Sequence, residues 1–186
     1  MAEAGRIIVV VGPSGAGKDS LINHAAALCR QPRFAVVRRV ITRPSDHDSE
    51  IHDTMSPDAF AARRTAGGFA VVWSAHGLEY GIPAEHRAFV ANGGVTLCNG
   101  SRKALADFRV AFARLTVVNV TARPEILTER LAARGRKSGD QITARLARST
   151  MAVHGDFDVV TIDNSGALET AGDQLVALIR DCLSEP

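Results

Sequence analysis

The sequence predicts an α/β fold built on a five-stranded parallel sheet with helices on both faces. Short apolar runs rich in β-branched residues alternate along the chain with segments of helical periodicity, which is typical of this class. A length of 186 residues with 46% hydrophobic composition is enough for one substantial core and short for two. The predicted core strands cover residues 6–11, 34–40, 95–99, 115–121 and 158–162. We therefore expect a single domain over residues 1–186.

Helices are predicted where apolar side chains recur at three- and four-residue steps. Such a stripe near the C-terminus consists of Leu168, Gly172, Leu175, Ile179 and Cys182. Pro83 and Pro124 are each followed closely by an acidic residue, which is typical of a helical first turn.

Residues 42–83 interrupt this alternation of strands and helices. Ser56-Pro57 opens a short helix, and residues 69–75 are interpreted as a strand pair leading to His76-Gly77. We interpret the region as a small inserted substrate lobe.

A glycine-rich segment follows the first predicted strand and precedes a helix. It consists of Gly12, Pro13, Ser14, Gly15, Ala16, Gly17 and Lys18. Glycines in this context direct backbone N–H groups at an anion, and the lysine reaches the β- and γ-phosphates of ATP or GTP. A turn that merely joins strand to helix is the alternative, and the combination of strand, spacing, lysine and helix argues against it. We expect a P-loop NTPase in which Lys18 is catalytic.

The residue after Lys18 departs from the common pattern, in which a Ser or Thr hydroxyl binds magnesium. Asp19 stands there and is predicted to bind Mg²⁺ directly or through water, with Ser20 as the alternative ligand. The predicted strand 95–99 also ends in Asn99 without an acidic residue, a loss for which Asp19 could compensate. Activity is expected to require magnesium.

Arg43 follows the second predicted strand, at the edge of the sheet where ligands of open α/β folds collect. A guanidinium there could clamp the phosphate of an acceptor. A surface ion pair is an equally good interpretation of this residue taken alone.

Together these segments resemble the guanylate kinase family. The resemblance is carried by the glycine-rich loop, Thr42-Arg43-Pro44, Tyr80-Gly81-Ile82-Pro83 and a late arginine segment. Five matches resemble one branch, the ribose 1,5-bisphosphate phosphokinases of phosphonate catabolism: Lys18-Asp19-Ser20-Leu21, Ile41-Thr42-Arg43-Pro44, Glu50 with His52, Ala75-His76-Gly77-Leu78 and Asn99-Gly100-Ser101-Arg102. The resemblance implies transfer of the ATP γ-phosphoryl group to ribose 1,5-bisphosphate, giving 5-phosphoribosyl 1-diphosphate and ADP.

The acceptor implied by this resemblance is a small phosphorylated sugar. The residues expected to bind it are Arg43, Glu50, His52, Trp73, His76, Tyr80 and Arg102. Their ordinary alternatives are surface histidines, packing aromatics and solvated arginines. Ser45, Asp46 and His47 stand where guanylate kinases have a second arginine and a tyrosine element, so GMP is not the expected acceptor.

A second basic cluster consists of Arg130, Arg134, Arg136, Lys137, Arg145 and Arg148. Residues 134–145 resemble a kinase lid, in which Arg134, Arg136 and Arg145 would be catalytic; the alternative is a solvated basic face. Asn164 lies in a loop that resembles the adenine-side loop of these kinases, although a plain strand-to-helix turn explains it almost as well.

Charge and composition indicate which kinds of partner and which cellular location to expect. The 22 basic and 20 acidic side chains leave a formal charge of +2, so no nucleic-acid partner is expected. The sequence shows no membrane segment, and three scattered cysteines fit reduced thiols, so we expect a cytoplasmic protein compatible with a homodimer. A nucleoside monophosphate kinase and a non-catalytic guanylate-kinase-like interaction module are the alternatives; the intact loop argues against the second.

Overall fold

The computed structural model describes residues 5–43, 52–133 and 153–185. Its strands are β1 (Arg6–Val11), β2 (Phe34–Val36), β3 (Arg39–Ile41), β4 (His52–Thr54), β5 (Phe69–Ala75), β6 (Leu78–Pro83), β7 (Val95–Asn99), β8 (Leu115–Thr121) and β9 (Asp158–Asp163). Its helices are α1 (Lys18–Leu28), α2 (Pro57–Thr65), α3 (Glu85–Ala91), α4 (Leu105–Ala111), α5 (Pro124–Ala133) and α6 (Leu168–Ser184). A 3₁₀ turn (Arg102–Ala104) precedes α4.

The larger sheet is parallel, with five strands in the order β2-β7-β1-β8-β9. The central strand β1 pairs Ile8 with Leu97 on one side and with Thr116 on the other. Residues 7–10 of β1 are fully buried, because layers cover both faces of a parallel sheet. The predicted α/β class and five-stranded parallel sheet are confirmed.

The second predicted strand, residues 34–40, is wrong as a single element. The chain leaves the large sheet after β2, where the Val37 N–H donates to the Leu97 carbonyl at 2.9 Å. It then enters a second sheet as β3. A run of apolar residues indicates burial but not which sheet receives it. The partly buried β2 and the buried β3 pack beside different neighbours, and periodicity alone does not distinguish one strand from two.

The second sheet has four strands in the order β4-β3-β6-β5. We call β3, β4, α2, β5 and β6 together the lobe. The interpretation of residues 69–75 as a strand pair is wrong: they form the single strand β5, whose antiparallel partner is β6. His76 and Gly77 join the two strands with φ of 53° and 76°, the positive values that a tight hairpin turn of the primed type requires.

The lobe helix α2 begins where the sequence predicts it. The Ser56 hydroxyl caps its first turn by accepting from the Ala59 N–H at 3.3 Å, and Pro57 occupies the first helical position. Phe60 is 2% exposed and stacks on Phe69 with ring centroids 4.5 Å apart. This contact fixes α2 on β5.

Two apolar layers cover the large sheet. Leu21 of α1 and Leu175 of α6 belong to the cluster on one face, while Phe108 of α4 and Trp73 of the lobe belong to the cluster on the other. The predicted stripe of α6 is buried from Gly172 onward. The lobe is therefore packed against the core sheet.

The three cysteines are free and buried. Complete burial raises the pKa of the Cys98 thiol to about 12, while the positive charge of Arg39 acts in the opposite direction. Within residues 5–43, 52–133 and 153–185, no helix is both long and apolar enough to cross a membrane.

Candidate active site

The phosphate loop, residues 12–18, connects β1 to α1. Gly12 has φ of 153°, and a Cβ there would lie 2.3 Å from the Val120 carbonyl oxygen. Gly17 has φ of 85°, and its Cβ would lie 2.4 Å from Asn164 Nδ2. Side chains are thus excluded at both ends of the loop by sterics as well as by backbone conformation.

Lys18 begins α1 and folds back over this loop. Its Nζ donates to the carbonyl oxygens of Gly12 at 3.0 Å and Pro13 at 3.1 Å. The ammonium group therefore spans the concave side of the loop, where a phosphate bound by the backbone N–H groups would meet it.

Asp19 and Asn99 meet at the carboxyl edge of the sheet. Asn99 ends β7, and its Nδ2 donates to Asp19 Oδ1 at 2.7 Å. The amide thus orients the carboxylate from the strand end where the sequence lacks an acidic residue. Ser20 is exposed.

Asn164 supports the phosphate loop through a hydrogen bond to its backbone. Its side chain is 2% exposed, and its Nδ2 donates to the Ala16 carbonyl at 2.7 Å. Its backbone N–H donates to the Thr121 carbonyl at 2.8 Å, which ties this segment to β8. Its Oδ1 is buried and has no hydrogen-bond partner within the described part of the chain. The structure thus places the side chain against the loop backbone.

Helix α5 closes one side of the loop. A Cβ at Gly15 would lie 3.3 Å from Leu131 Cγ, and one at Gly17 would lie 3.7 Å from Arg130 Nη1. The Arg130 Nη1 atom is shielded from solvent. Arg130 thus approaches the loop, whereas Arg134, Arg136 and Arg145 lie outside the described residues.

Thr42 and Arg43 follow directly after the end of β3 in the lobe. Thr42 is held by Glu79, because its N–H donates to the Glu79 carbonyl at 3.1 Å and its hydroxyl accepts from the Glu79 N–H at 2.9 Å. Arg43 follows and is half-buried. Tyr80 lies opposite Ile41 in the antiparallel register, so its strand is the direct neighbour of this step.

The predicted acceptor residues fall into different environments. Trp73 is 8% exposed and stacks on Tyr80, with centroids 5.3 Å apart and ring planes 7° from parallel. His52 lies beside Arg39 in the parallel β3–β4 register, whereas His76 is exposed on the hairpin turn. Glu50 lies outside the described residues.

Arg102 lies over the core sheet. Its Nη2 donates to Asn119 Oδ1 of β8 at 3.0 Å, and burial lowers its pKa. The structure therefore places Arg102 beside the strand that continues toward the phosphate loop.

The sequence analysis did not identify Arg39 as a site residue, because it lies inside the predicted apolar strand 34–40. The side chain is 7% exposed, and its Cζ lies 5.4 Å from the Tyr80 ring centroid and 5.8 Å from that of Trp73. Burial lowers its pKa, and the charge of Asp19 acts in the opposite direction. A charged residue inside an apolar run was the signal that could have identified it.

A phosphate loop on a parallel sheet, with a lysine over its concave side and a lobe at the same edge, defines a P-loop kinase of the guanylate kinase type. A solved guanylate kinase from Anaplasma phagocytophilum has the same fold, with a TM-score of 0.68, 13% identity, and coverage of 99% of this chain and 88% of that one.

Sequence comparison narrows the class. The chain is 53% identical over 175 residues to a ribose 1,5-bisphosphate phosphokinase PhnN of Agrobacterium fabrum, covering 94% of this chain and 96% of the relative. It is 49% identical over 185 residues to the Rhizobium etli protein of that name, covering 99% and 94%. No family profile matches the chain. The chain belongs to the ribose 1,5-bisphosphate phosphokinase family.

Proposed function

We propose that this kinase transfers the γ-phosphoryl group of ATP to ribose 1,5-bisphosphate. An oxygen of the 1-phosphate attacks the γ-phosphorus, the bond to the β-phosphate oxygen breaks, and the products are 5-phosphoribosyl 1-diphosphate and ADP. The observation that carries the proposal is 53% identity over 94% of the chain to a protein of that name, together with an intact phosphate loop.

The phosphate loop would hold the nucleotide by its backbone. Phosphoryl transfer requires positioning and charge neutralisation more than covalent chemistry by the protein. Backbone N–H groups of residues 14–18 would bind the transferred end of ATP, and the Lys18 ammonium would move from the loop carbonyls onto the β- and γ-phosphates.

Asp19 is the proposed magnesium ligand. Magnesium prefers hard oxygen donors and commonly combines one or two carboxylates with substrate phosphates. A single carboxylate oriented by Asn99 beside the loop fits this requirement, and the described residues contain no group of three or more His, Cys, Asp or Glu that could form a closed metal cage. Bound magnesium would neutralise charge on the phosphates.

The acceptor would lie between the loop and the lobe. Arg43 is proposed to clamp the reacting phosphate, and Tyr80 and Arg102 to flank it. Glu50, His52, Trp73 and His76 are proposed to complete the sugar pocket. Trp73 would act as a wall, because it is buried in the aromatic stack.

The remaining proposals concern the surroundings of the reaction. Arg134, Arg136 and Arg145 would close over the γ-phosphate and exclude water. The enzyme would act in the cytoplasm on a free sugar phosphate. A homodimer is compatible with this function.

The test is a magnesium-dependent assay with ATP and either ribose 1,5-bisphosphate or GMP, with products resolved by phosphorus NMR. A ribose-bound diphosphate signal is the expected result, and Lys18→Ala should lower kcat about a thousandfold, since it removes the charge that neutralises the phosphates. Turnover of GMP alone would identify a guanylate kinase. ATP binding without turnover of either acceptor would identify an interaction module.

A further inference from the structure

Arg39 is a charged residue in the interior of the lobe. It begins β3, is 7% exposed, and lies on a strand whose other two residues, Val40 and Ile41, are each 1% exposed. Taking a guanidinium out of water is costly unless its charge is used. The Tyr80 and Trp73 rings and the carboxylate of Asp19 offset part of this cost.

Aromatic rings fix the guanidinium in place. The Arg39 Cζ lies within 6 Å of the Tyr80 and Trp73 ring centroids, and these two rings stack on each other. Trp73 in turn packs against Phe108 of α4, with centroids 5.9 Å apart. A guanidinium held by such a stack has lost its side-chain entropy before any ligand binds, so it is a preorganised receptor for a planar or tetrahedral anion.

Two charged groups of the proposed site act on Arg39. The carboxylate of Asp19 favours the charged form of Arg39, and the guanidinium of Arg43 disfavours it. Arg43 follows two residues after the end of β3, so both guanidinium groups belong to the same short segment of the lobe. Two long guanidinium side chains from this segment can each hold one phosphate of an extended sugar bisphosphate.

We propose that Arg39 binds the phosphate of the acceptor that does not react, the 5-phosphate, and thereby sets the preference for a bisphosphorylated sugar. This inference rests on the proposed function. Arg43, half-buried at the end of the strand, takes the reacting 1-phosphate. Arg39 is locked on its aromatic support and holds the phosphate that stays in place throughout the transfer. The same side chains fill the interior of the lobe, which leaves less room there for a nucleobase.

The test compares Arg39→Met with Arg39→Lys and a matched control, Arg63→Met. Arg63 belongs to the same lobe and also places its Cζ over an aromatic ring, 4.9 Å from the Phe69 centroid. Its substitution therefore reports what loss of an arginine–ring contact does to the lobe without touching the proposed phosphate site. Thermal unfolding of all three variants is measured beside their kinetics.

Arg39→Met is expected to raise the KM for ribose 1,5-bisphosphate about tenfold to a hundredfold, with kcat and the KM for ATP changed less than about threefold. Arg39→Lys should lie between, since lysine keeps the charge but loses the planar fork. Arg63→Met should leave the acceptor KM unchanged. Ribose 5-phosphate, which lacks the reacting group, should inhibit competitively, and its inhibition constant should rise by the same factor in Arg39→Met.

Ribose 1-phosphate separates the proposal from its rivals, because it keeps the reacting phosphate and lacks the 5-phosphate. Wild type and Arg39→Met should use it equally poorly. Arg39→Met could instead lose the same factor in kcat/KM with both acceptors and need a different magnesium concentration. That result would show that Arg39 is a counter-ion for Asp19, and it would overturn this inference but not the proposed function. Wild-type protein that fails to use ribose 1,5-bisphosphate would overturn the proposed function, and the inference with it.

Discussion

The phosphate loop and the lobe are proposed to bind phosphate with different groups, the loop with its backbone and the lobe with side chains. The loop uses backbone, and its glycines approach Val120 and Asn164 so closely that no side chain fits at Gly12 or Gly17. The lobe would use long side chains such as that of Arg39, which lies on the three-residue strand β3 beside the stacked rings of Trp73 and Tyr80. The difference predicts that the loop is sensitive to added atoms and the lobe to removed ones.

The largest effect on stability is expected in the lobe. Trp73→Ala removes the ring that stacks on Tyr80 and contacts Phe108, so it should lower the free energy of unfolding by about 3–5 kcal/mol. Urea denaturation measures this change. Val110→Ala is the control, because Val110 is 90% exposed and should change stability by less than about 0.5 kcal/mol. Similar values for both variants would mean that the stack does not support the lobe.

The loop should respond most strongly to one added methyl group. Gly17→Ala combines a positive φ with a clash at Asn164, and the displaced loop should lose about a hundredfold in kcat/KM for ATP. Gly67→Ala is matched, since Gly67 has φ of 73° and nothing lies within 4 Å of its would-be Cβ. It should cost about 1 kcal/mol of stability and no activity. Full activity of Gly17→Ala would contradict the steric argument.

The contact between Asn99 and Asp19, beside the phosphate loop, should have a smaller effect. Asn99→Ala removes the 2.7 Å bond to Asp19 and should raise the magnesium concentration for half-maximal activity about fivefold to tenfold. Magnesium titrations of the two single variants and of the double variant test this. If Asn99 acts by orienting Asp19, its substitution has no further effect in an Asp19→Ala background; additive effects would show independent roles.

The smallest effect is expected at the lobe's tip. His76 has φ of 53° and is exposed, so His76→Gly relieves backbone strain and should stabilise the protein by up to about 1 kcal/mol. The acceptor KM should rise less than about threefold. A larger rise in the acceptor KM would mean that His76 contacts the acceptor directly.

The phosphate loop was predictable because its signals are local. A strand, glycines at fixed offsets, a lysine and a helix follow one another within residues 6–28, so chain order alone places them in space. The parallel sheet was predictable because its strands are apolar on both faces. The split of residues 34–40 into β2 and β3 was not, since an apolar run does not specify which sheet receives each half.

Partners distant in sequence account for the rest of the site. Asn164 was assigned to a loop resembling the adenine side, and only the packing of β9 beside β8 brings its amide under Ala16. Arg39 was overlooked because nothing near it in sequence indicates that Trp73 and Tyr80 will support it. The proposed roles of Arg43, His52 and Arg102 remain predictions.

The sequence by itself determined the α/β class, the phosphate loop and the kinase family it resembles, because periodicity and short motifs encode local geometry. The tertiary structure decided which residues distant in sequence support the phosphate loop and the start of α1. The Asn99–Asp19 contact spans 80 positions and the Asn164–Ala16 contact spans 148. Such contacts depend on strand order and on which side chains share a face. These are properties of the assembled sheets, and no short segment of the chain contains them.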